Sequence, residues 1–399
     1  MEEASIKSTS VVFLCGESTN GRITLSDKAL YGNIVHGIAS DGDDLIALCR
    51  NGCYNLENSM LVPNCDFMAT NFCSGKKTVY ALSTERSSIY SWGLGPYGEL
   101  GLGLCTTIVE QPLSITHKSS FISISCGDYH CTALDTLGNA YSWGQNYDRQ
   151  LGLHKSDSSK FKGQNCVVQE VMFRPALLPF SLLCPISKIS CGARFTVAIG
   201  INGDLWSWGA GECGQLGSGR CTKREVPTKI LIYSTLESNS EGTQVVAESG
   251  KNTSSLCKIV DIACGDAHVL AVGCDGNVYG WGMNKRGQLG LGDSETRHSP
   301  SLLPYICLSK VYANGMSSAG ISPAGDLFTW GSGSKFRLMQ QKDDESNRIA
   351  DDSHRHTPTY VDTLYGNIVH SFVFSDTASA ALVVTRLYEV CLIKSHRVF

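Results

Sequence analysis

The apolar residues of this chain fall in short runs, rich in β-branched and aromatic side chains, that glycine interrupts about every eight to ten residues. Such runs cannot hold the 3.6-residue period of an amphipathic helix. They predict strands joined by tight turns, and therefore an all-β protein. Four of the six tryptophans sit at the head of near-copies of one string: YSWGLGPYGELGLG from Tyr90, YSWGQNYDRQLGLH from Tyr141, WSWGAGECGQLGSG from Trp206 and YGWGMNKRGQLGLG from Tyr279. A fifth, FTWGSGSKFRLM from Phe328, keeps Trp330-Gly331 but has Phe336 and Met339 where the stronger copies place glycines.

A second block precedes the last four of these tryptophans. Cys126, Cys191, Cys264 and Ala313 lie 17 residues ahead of Trp143, Trp208, Trp281 and Trp330, and open CGDYHCTALDTLGNAYSWG, CGARFTVAIGINGDLWSWG, CGDAHVLAVGCDGNVYGWG and ANGMSSAGISPAGDLFTWG. Each block holds two apolar runs around a glycine and reads as a β-hairpin. Gly138, Gly203, Gly276 and Gly325 supply the positive φ that tight hairpin loops need. A further hairpin, CRNGCYNL, centres on Asn51-Gly52.

The intervals from Trp92 onwards are 51, 65, 73 and 49 residues, so the repeat has a core of about 50 with insertions. That length suits a four-stranded propeller blade, whose two apolar faces only neighbouring blades can cover. Further out, Val11 to Gly16 fills the YSWG slot with Cys15 in place of tryptophan, and Cys53-Tyr54-Asn55-Leu56 fills another. Slots near 15, 56, 92, 143, 208, 281 and 330 make seven. LYGNIVH occurs at Leu30 to His36 and again at Leu364 to His370, and the last segment, VHSFVFSDTASAALVV, has a first hairpin but no SWG strand after it. The missing strand is predicted to come from the N-terminus, closing the ring and removing an exposed sheet edge. The expectation is one domain over residues 1–399: a seven-bladed β-propeller of four-stranded antiparallel blades, with residues 1–10 a disordered tail.

The string WGxGxxGQLGLG following CGDxH resembles the regulator of chromosome condensation family of seven-bladed propellers, strongly over residues 74–331 and weakly outside them. The resemblance implies a ring that binds proteins. Some members serve as adaptors to small GTPases, ubiquitin-pathway components, or histones and histone-modifying enzymes. The founding member is an exchange factor for the GTPase Ran and engages it through acidic and histidine residues of such loops. That role would fall on Asp128, His130, Asp266 and His268. Two blades depart from the pattern, with Ala193-Arg194-Phe195 and Gly315-Met316-Ser317 in place of DxH. The residues singled out for a partner are therefore Asp128, Tyr129, His130, Arg194, Asp266 and His268. Recurrence of the two histidines also fits a repeated buried hydrogen bond. Trp92, Trp143, Trp208, Trp281 and Trp330, at matching repeat positions, are expected to fill the space between blades.

Charge narrows the partners. The 33 basic and 37 acidic residues leave a net charge of -4, so no global positive field attracts nucleic acid or an anionic membrane. The first ten residues carry two glutamates and one lysine, unlike the basic tail of chromatin-binding members. No apolar run is long enough to span a bilayer and no signal sequence opens the chain, so a monomeric protein of cytoplasm or nucleus is expected. The 18 cysteines then read as reduced thiols. No CxxC pair or zinc spacing occurs, and neither metal nor cofactor is expected. GxSxG, GxxxxGK[ST] and HExxH are absent, which favours a non-catalytic scaffold over an enzyme, with guanine-nucleotide exchange as the alternative. Segments 154–170, 232–255 and 335–357 are expected to be solvated insertions, and Arg220 to Lys229, with four positive charges, a solvated basic face. Asn252-Thr253-Ser254 is a formal glycosylation acceptor without a secretory route.

Overall fold

The computed structural model describes residues 9–16, 24–25, 35–41, 44–49, 52–56, 60–62, 65, 67–83, 87–103, 108–153, 170–234, 255–340, 353–376 and 378–385. Seven antiparallel sheets surround a central channel. In the third blade the strands run outwards in chain order: Phe121–Cys126, His130–Asp135, Ala140–Gln145 and Val171–Leu177. The second blade spans 69–114, the fourth 186–230, the fifth 259–307 and the sixth 310–360. Among the described residues the first, over 35–55, has three strands and, where a fourth would lie, the bridge from Tyr54 to Leu61. The seventh joins Ile368–Phe374 and Ala378–Thr385 to Thr9–Gly16 and Thr24–Leu25.

Ring closure follows the sequence expectation. Thr9–Gly16 pairs residue by residue with Ala378–Thr385, from Thr9 opposite Thr385 to Gly16 opposite Ala378. Cys15 faces Ser379 as Trp143 faces Cys131, so it occupies the tryptophan slot. Both copies of LYGNIVH lead into an innermost strand, with a bulge after Val35 and again after Val369. Thr9 and Ser10 are thus strand residues and not part of a tail; residues 1–8 lie outside the described ones.

The repeated motif builds the contact between blades. Trp143, Trp208, Trp281 and Trp330 are fully buried. Each indole N–H donates to a backbone carbonyl of the preceding blade, at Glu99 (2.6 Å), Gln150 (2.8 Å), Gln215 (2.9 Å) and Gln288 (2.9 Å). The glycine two residues further on lies under the same indole: a Cβ on Gly152 would stand 2.7 Å from the Trp208 nitrogen, and its φ of 67° already favours glycine. Trp92 differs from its counterparts in being only half-buried, against the truncated first blade.

Two insertions are shorter than expected. Within 335–357, Arg337, Leu338, Met339 and Gln340 are buried, and 355–360 forms the outer strand Arg355–Tyr360, so only 341–352 lies outside the described residues. Within 232–255, Ile232 is buried, and Tyr233–Ser234 pairs with Ser255–Leu256 in a two-stranded ribbon. Residues 235–254, with Asn252, and 154–169 also fall outside the description. Apolar side chains directly flank these polar stretches, which is why composition overran the boundary.

Candidate partner-binding face

Antiparallel order puts the loops after the first and third strands of every blade on one face of the ring, and the remaining turns on the other. The first face holds the mouth of the central channel, a cavity of about 1100 Å³ lined by the innermost strands. Loops of successive blades are laced together there. The Lys76 N–H donates to the Asp128 carbonyl (2.9 Å), Asp128 to Ala193 (3.0 Å), Ala193 to Asp266 (3.1 Å), and Asp266 to Gly315 (3.0 Å). These five positions are equivalent by strand register, and Asp376 holds the same place in the closing blade. The mouth therefore presents Lys76, Asp128 and Asp266 on laced loops, with Asp376 at the equivalent place in the closing blade.

The carboxylates feel one another. Burial raises Asp128 above the usual carboxylate range and Asp376 adds to it, while Lys76 and Arg194 act against it. Burial raises Asp266 too, with Asp128 and Asp376 reinforcing the rise and Arg337 and Lys76 opposing it. Asp266 remains exposed to solvent at the channel mouth, which weakens that effect. Arg337, buried beside the mouth, donates through Nη1 to the Ser375 carbonyl (2.9 Å) and to Asn314 Oδ1 (3.2 Å).

To one side of this ring lies an aromatic cluster. Tyr97 meets Tyr129 edge to face at 5.6 Å and Tyr147 at 6.2 Å, and Lys76 Nζ stands 5.9 Å from the centre of the Tyr129 ring. Tyr97 is 36% exposed and Tyr147 46%. Arg194, exposed on the same face, is tied to Asp148 Oδ2 at 2.9 Å.

The two histidines do not belong to this surface. His130 and His268 are fully buried, and each reaches a hydroxyl of the next blade: Thr196 Oγ1 at 3.0 Å and Ser318 Oγ at 2.9 Å. Those hydroxyls donate onward to the carbonyls of Gln150 and Gln288, which also accept the indoles of Trp208 and Trp330. With the hydroxyl proton committed, each histidine must donate from Nε2, which leaves Nδ1 without a proton. Burial holds both side chains neutral by lowering them to about 3. A direct contact with a partner is therefore ruled out for the pair. The departure at Phe195 has the same logic: its neighbour in the next blade is Val269 where Thr196 and Ser318 stand elsewhere, and the two pack in one apolar cluster.

Sequence reading missed Lys76, Tyr97, Tyr147, Asp376 and Arg337. In the second blade the counterpart of Cys126 is Ser74, 18 residues before Trp92, because the turn after Ser83 is longer. The fixed spacing of 17 passed it by. Asp376 has no following tryptophan to mark its slot.

A model of the RCC1-like domain matches residues 4–381. The chain belongs to that family. Among curated relatives of this RCC1-like chain, it is 30% identical over 263 residues to the ultraviolet-B receptor UVR8 of Arabidopsis thaliana, covering 65% of the chain and 52% of that protein. It is 29% identical over 308 residues to the E3 ubiquitin-protein ligase HERC2 of Mus musculus, covering 74% of the chain and 5% of that protein. The chain thus spans about half of the first relative and a small part of the second. The crystal structure of Prp20p from Saccharomyces cerevisiae, described with its binding to Gsp1p and histones, superposes with a TM-score of 0.70 over 95% of this chain and 92% of that one. Identity there is 16%, so the likeness is one of fold. Among the described residues, no cluster of three or more His, Cys, Asp or Glu could hold a metal, and no helix is long and apolar enough to cross a membrane.

Proposed function

We propose that this RCC1-like propeller is a non-catalytic scaffold that docks a protein partner over the channel mouth, beside the second and third blades. The observation that carries the reading is the pairing, on one backbone-laced face, of crowded carboxylates with half-exposed tyrosines. Tyrosines on a rigid support bury large area at low entropic cost and are enriched among residues that dominate interfaces. Asp376 raises the proton affinity of Asp128, and Asp128 and Asp376 raise that of Asp266, so a basic segment of the partner would relieve the repulsion. Small GTPases, which the family resemblance implies, and histones, with which Prp20p is described, are the first partners to try. We place the protein inside the cell, in keeping with its fifteen described cysteines being free thiols in the structure.

The test uses a Ran-type GTPase loaded with fluorescent nucleotide, and core histones, against the full chain. Binding should weaken at least tenfold, about 1.4 kcal/mol, in Tyr97→Ala or Asp266→Ala. Ile201→Ser, on the opposite face, should leave it intact. Accelerated nucleotide release lost in Asp266→Ala moves the reading to exchange. Binding that only Ile201→Ser disturbs overturns the docking face.

A further inference from the structure

The channel wall carries an arrangement of sulfur that the docking face does not use. At the inner-strand position one before the blade cysteine, the third and fourth blades have Ser125 and Ser190. Their hydroxyls accept the backbone N–H of Cys191 (2.9 Å) and Cys264 (3.1 Å) in the next blade. The thiols of Cys191 and Cys264 turn to the carbonyls of those same serines. In the second blade the serine position is taken by Cys73. Cys73 Sγ consequently lies 3.2 Å from Cys126 Sγ, sulfur against sulfur across two blades. Both side chains are half-buried and both line the channel, which opens to solvent at the mouth.

We propose that Cys73 and Cys126 are an oxidation site, a thiol pair that a peroxide converts to an interblade disulfide. The sulfurs must approach by about 1.2 Å to reach bonding distance. The two strands are already pinned on either side, by Asn71 Nδ2 to the Ile124 carbonyl (3.3 Å) and by Lys76 N–H to the Asp128 carbonyl (2.9 Å), so closure needs side-chain movement more than backbone movement. Burial, then Cys131 and Cys73, keep Cys126 protonated well above the usual thiol range. The first step is assigned to Cys73, the other sulfur of the pair, which also lines the channel. Its thiolate attacks one peroxide oxygen, the O–O bond breaks, and the departing hydroxide leaves as water after taking up a proton. The sulfenic acid at Cys73 is then attacked by the Cys126 sulfur. The S–O bond breaks, and hydroxide leaves as a second water with the Cys126 proton. Two thiols and one hydrogen peroxide give one disulfide and two waters. Proximity drives the second step, since nothing activates Cys126 as a nucleophile.

The reduced full chain is treated with hydrogen peroxide, alkylated and mapped as peptides without reductant. The expected result is a Cys73–Cys126 linked peptide, two hydrogens lighter than its separate halves and cleaved by dithiothreitol. Cys73→Ser restores the residue that neighbouring blades carry, should fold, and should leave Cys126 alkylatable. Cys126→Ser should leave a sulfenic acid at Cys73 that dimedone traps. The proposal fails if Cys73 and Cys126 both stay alkylatable while exposed Cys221, Cys274 and Cys307 are oxidised, or if Cys73 links to another cysteine.

Discussion

Blades three to six and the seam formed by blades seven, one and two solve the same packing problem with different residues. In the regular wall every junction sets an indole over a glycine: Trp143 over Gly101, Trp208 over Gly152, Trp281 over Gly217, Trp330 over Gly290. At the seam the tryptophan slot holds Cys15, and the facing glycine position holds Met339, a fully buried side chain at φ 54°. Cys15, Leu338 and Met339 share one core cluster. The larger side chain on one blade fills the volume that the smaller one leaves on the other, at the cost of a left-handed conformation that methionine disfavours. Indole and glycine are one unit, and the repeat decays on both sides of a junction together. The histidine junctions behave alike, since His130 and His268 face hydroxyls while Phe195 faces Val269.

The sharpest way to break the contrast is at the closing strand. Deleting residues 1–16 removes the whole outward neighbour of Ala378–Thr385 and should abolish cooperative thermal unfolding, followed by circular dichroism. An unchanged transition would mean the seam does not hold the ring. Next in size, Trp208→Ala should cost about 3 to 5 kcal/mol in denaturant titration, through the cavity and the lost indole hydrogen bond to the Gln150 carbonyl. Trp92→Ala, half-buried at the seam, should fall in the more ordinary range of roughly 0.5 to 3 kcal/mol. Equal losses would show that the regular wall is no tighter.

The smallest effect is set by pH. His130 and His268 titrate near 3 in the fold, against about 6.5 in the unfolded chain. The unfolded chain takes up protons that the folded one refuses, so stability is full above about pH 6.5 and falls as pH drops from there towards 3. The raised carboxyls of Asp128 and Asp266 oppose part of that loss. Replacing His130→Phe together with Thr196→Val copies the Phe195–Val269 junction and should flatten the acid slope measured by melting temperature between pH 6.5 and 5. A slope unchanged in the double variant would remove histidine burial as its cause.

Much of this was legible because the repeat is a physical unit. Seven slots, hairpin turns and closure by the first strand follow from apolar runs, glycines and the doubled LYGNIVH. The candidate site was legible only where a CGDxH string marked it, at Asp128 and Asp266. Tyr97 and Tyr147 were hidden in a variable pair of positions within WGxGxxG, and Lys76 in a hairpin one residue longer than its neighbours. Buried Leu338 and Met339 read as part of a polar insertion because charged residues follow them immediately.

The blade, the number of blades and the closure are written into the order of residues, since hydrophobic period and turn chemistry are local and recur with each repeat. Which loop residues meet depends on the folded ring. Lys76, Asp128, Asp266 and Asp376 are scattered over 301 positions of chain, and Cys73 and Cys126 are 53 apart. Curling seven sheets around one axis brings equivalent positions together whatever residues occupy them. The contacts made by Lys76, Asp376 and Cys73 therefore come from exceptions to the repeat, which no local period encodes.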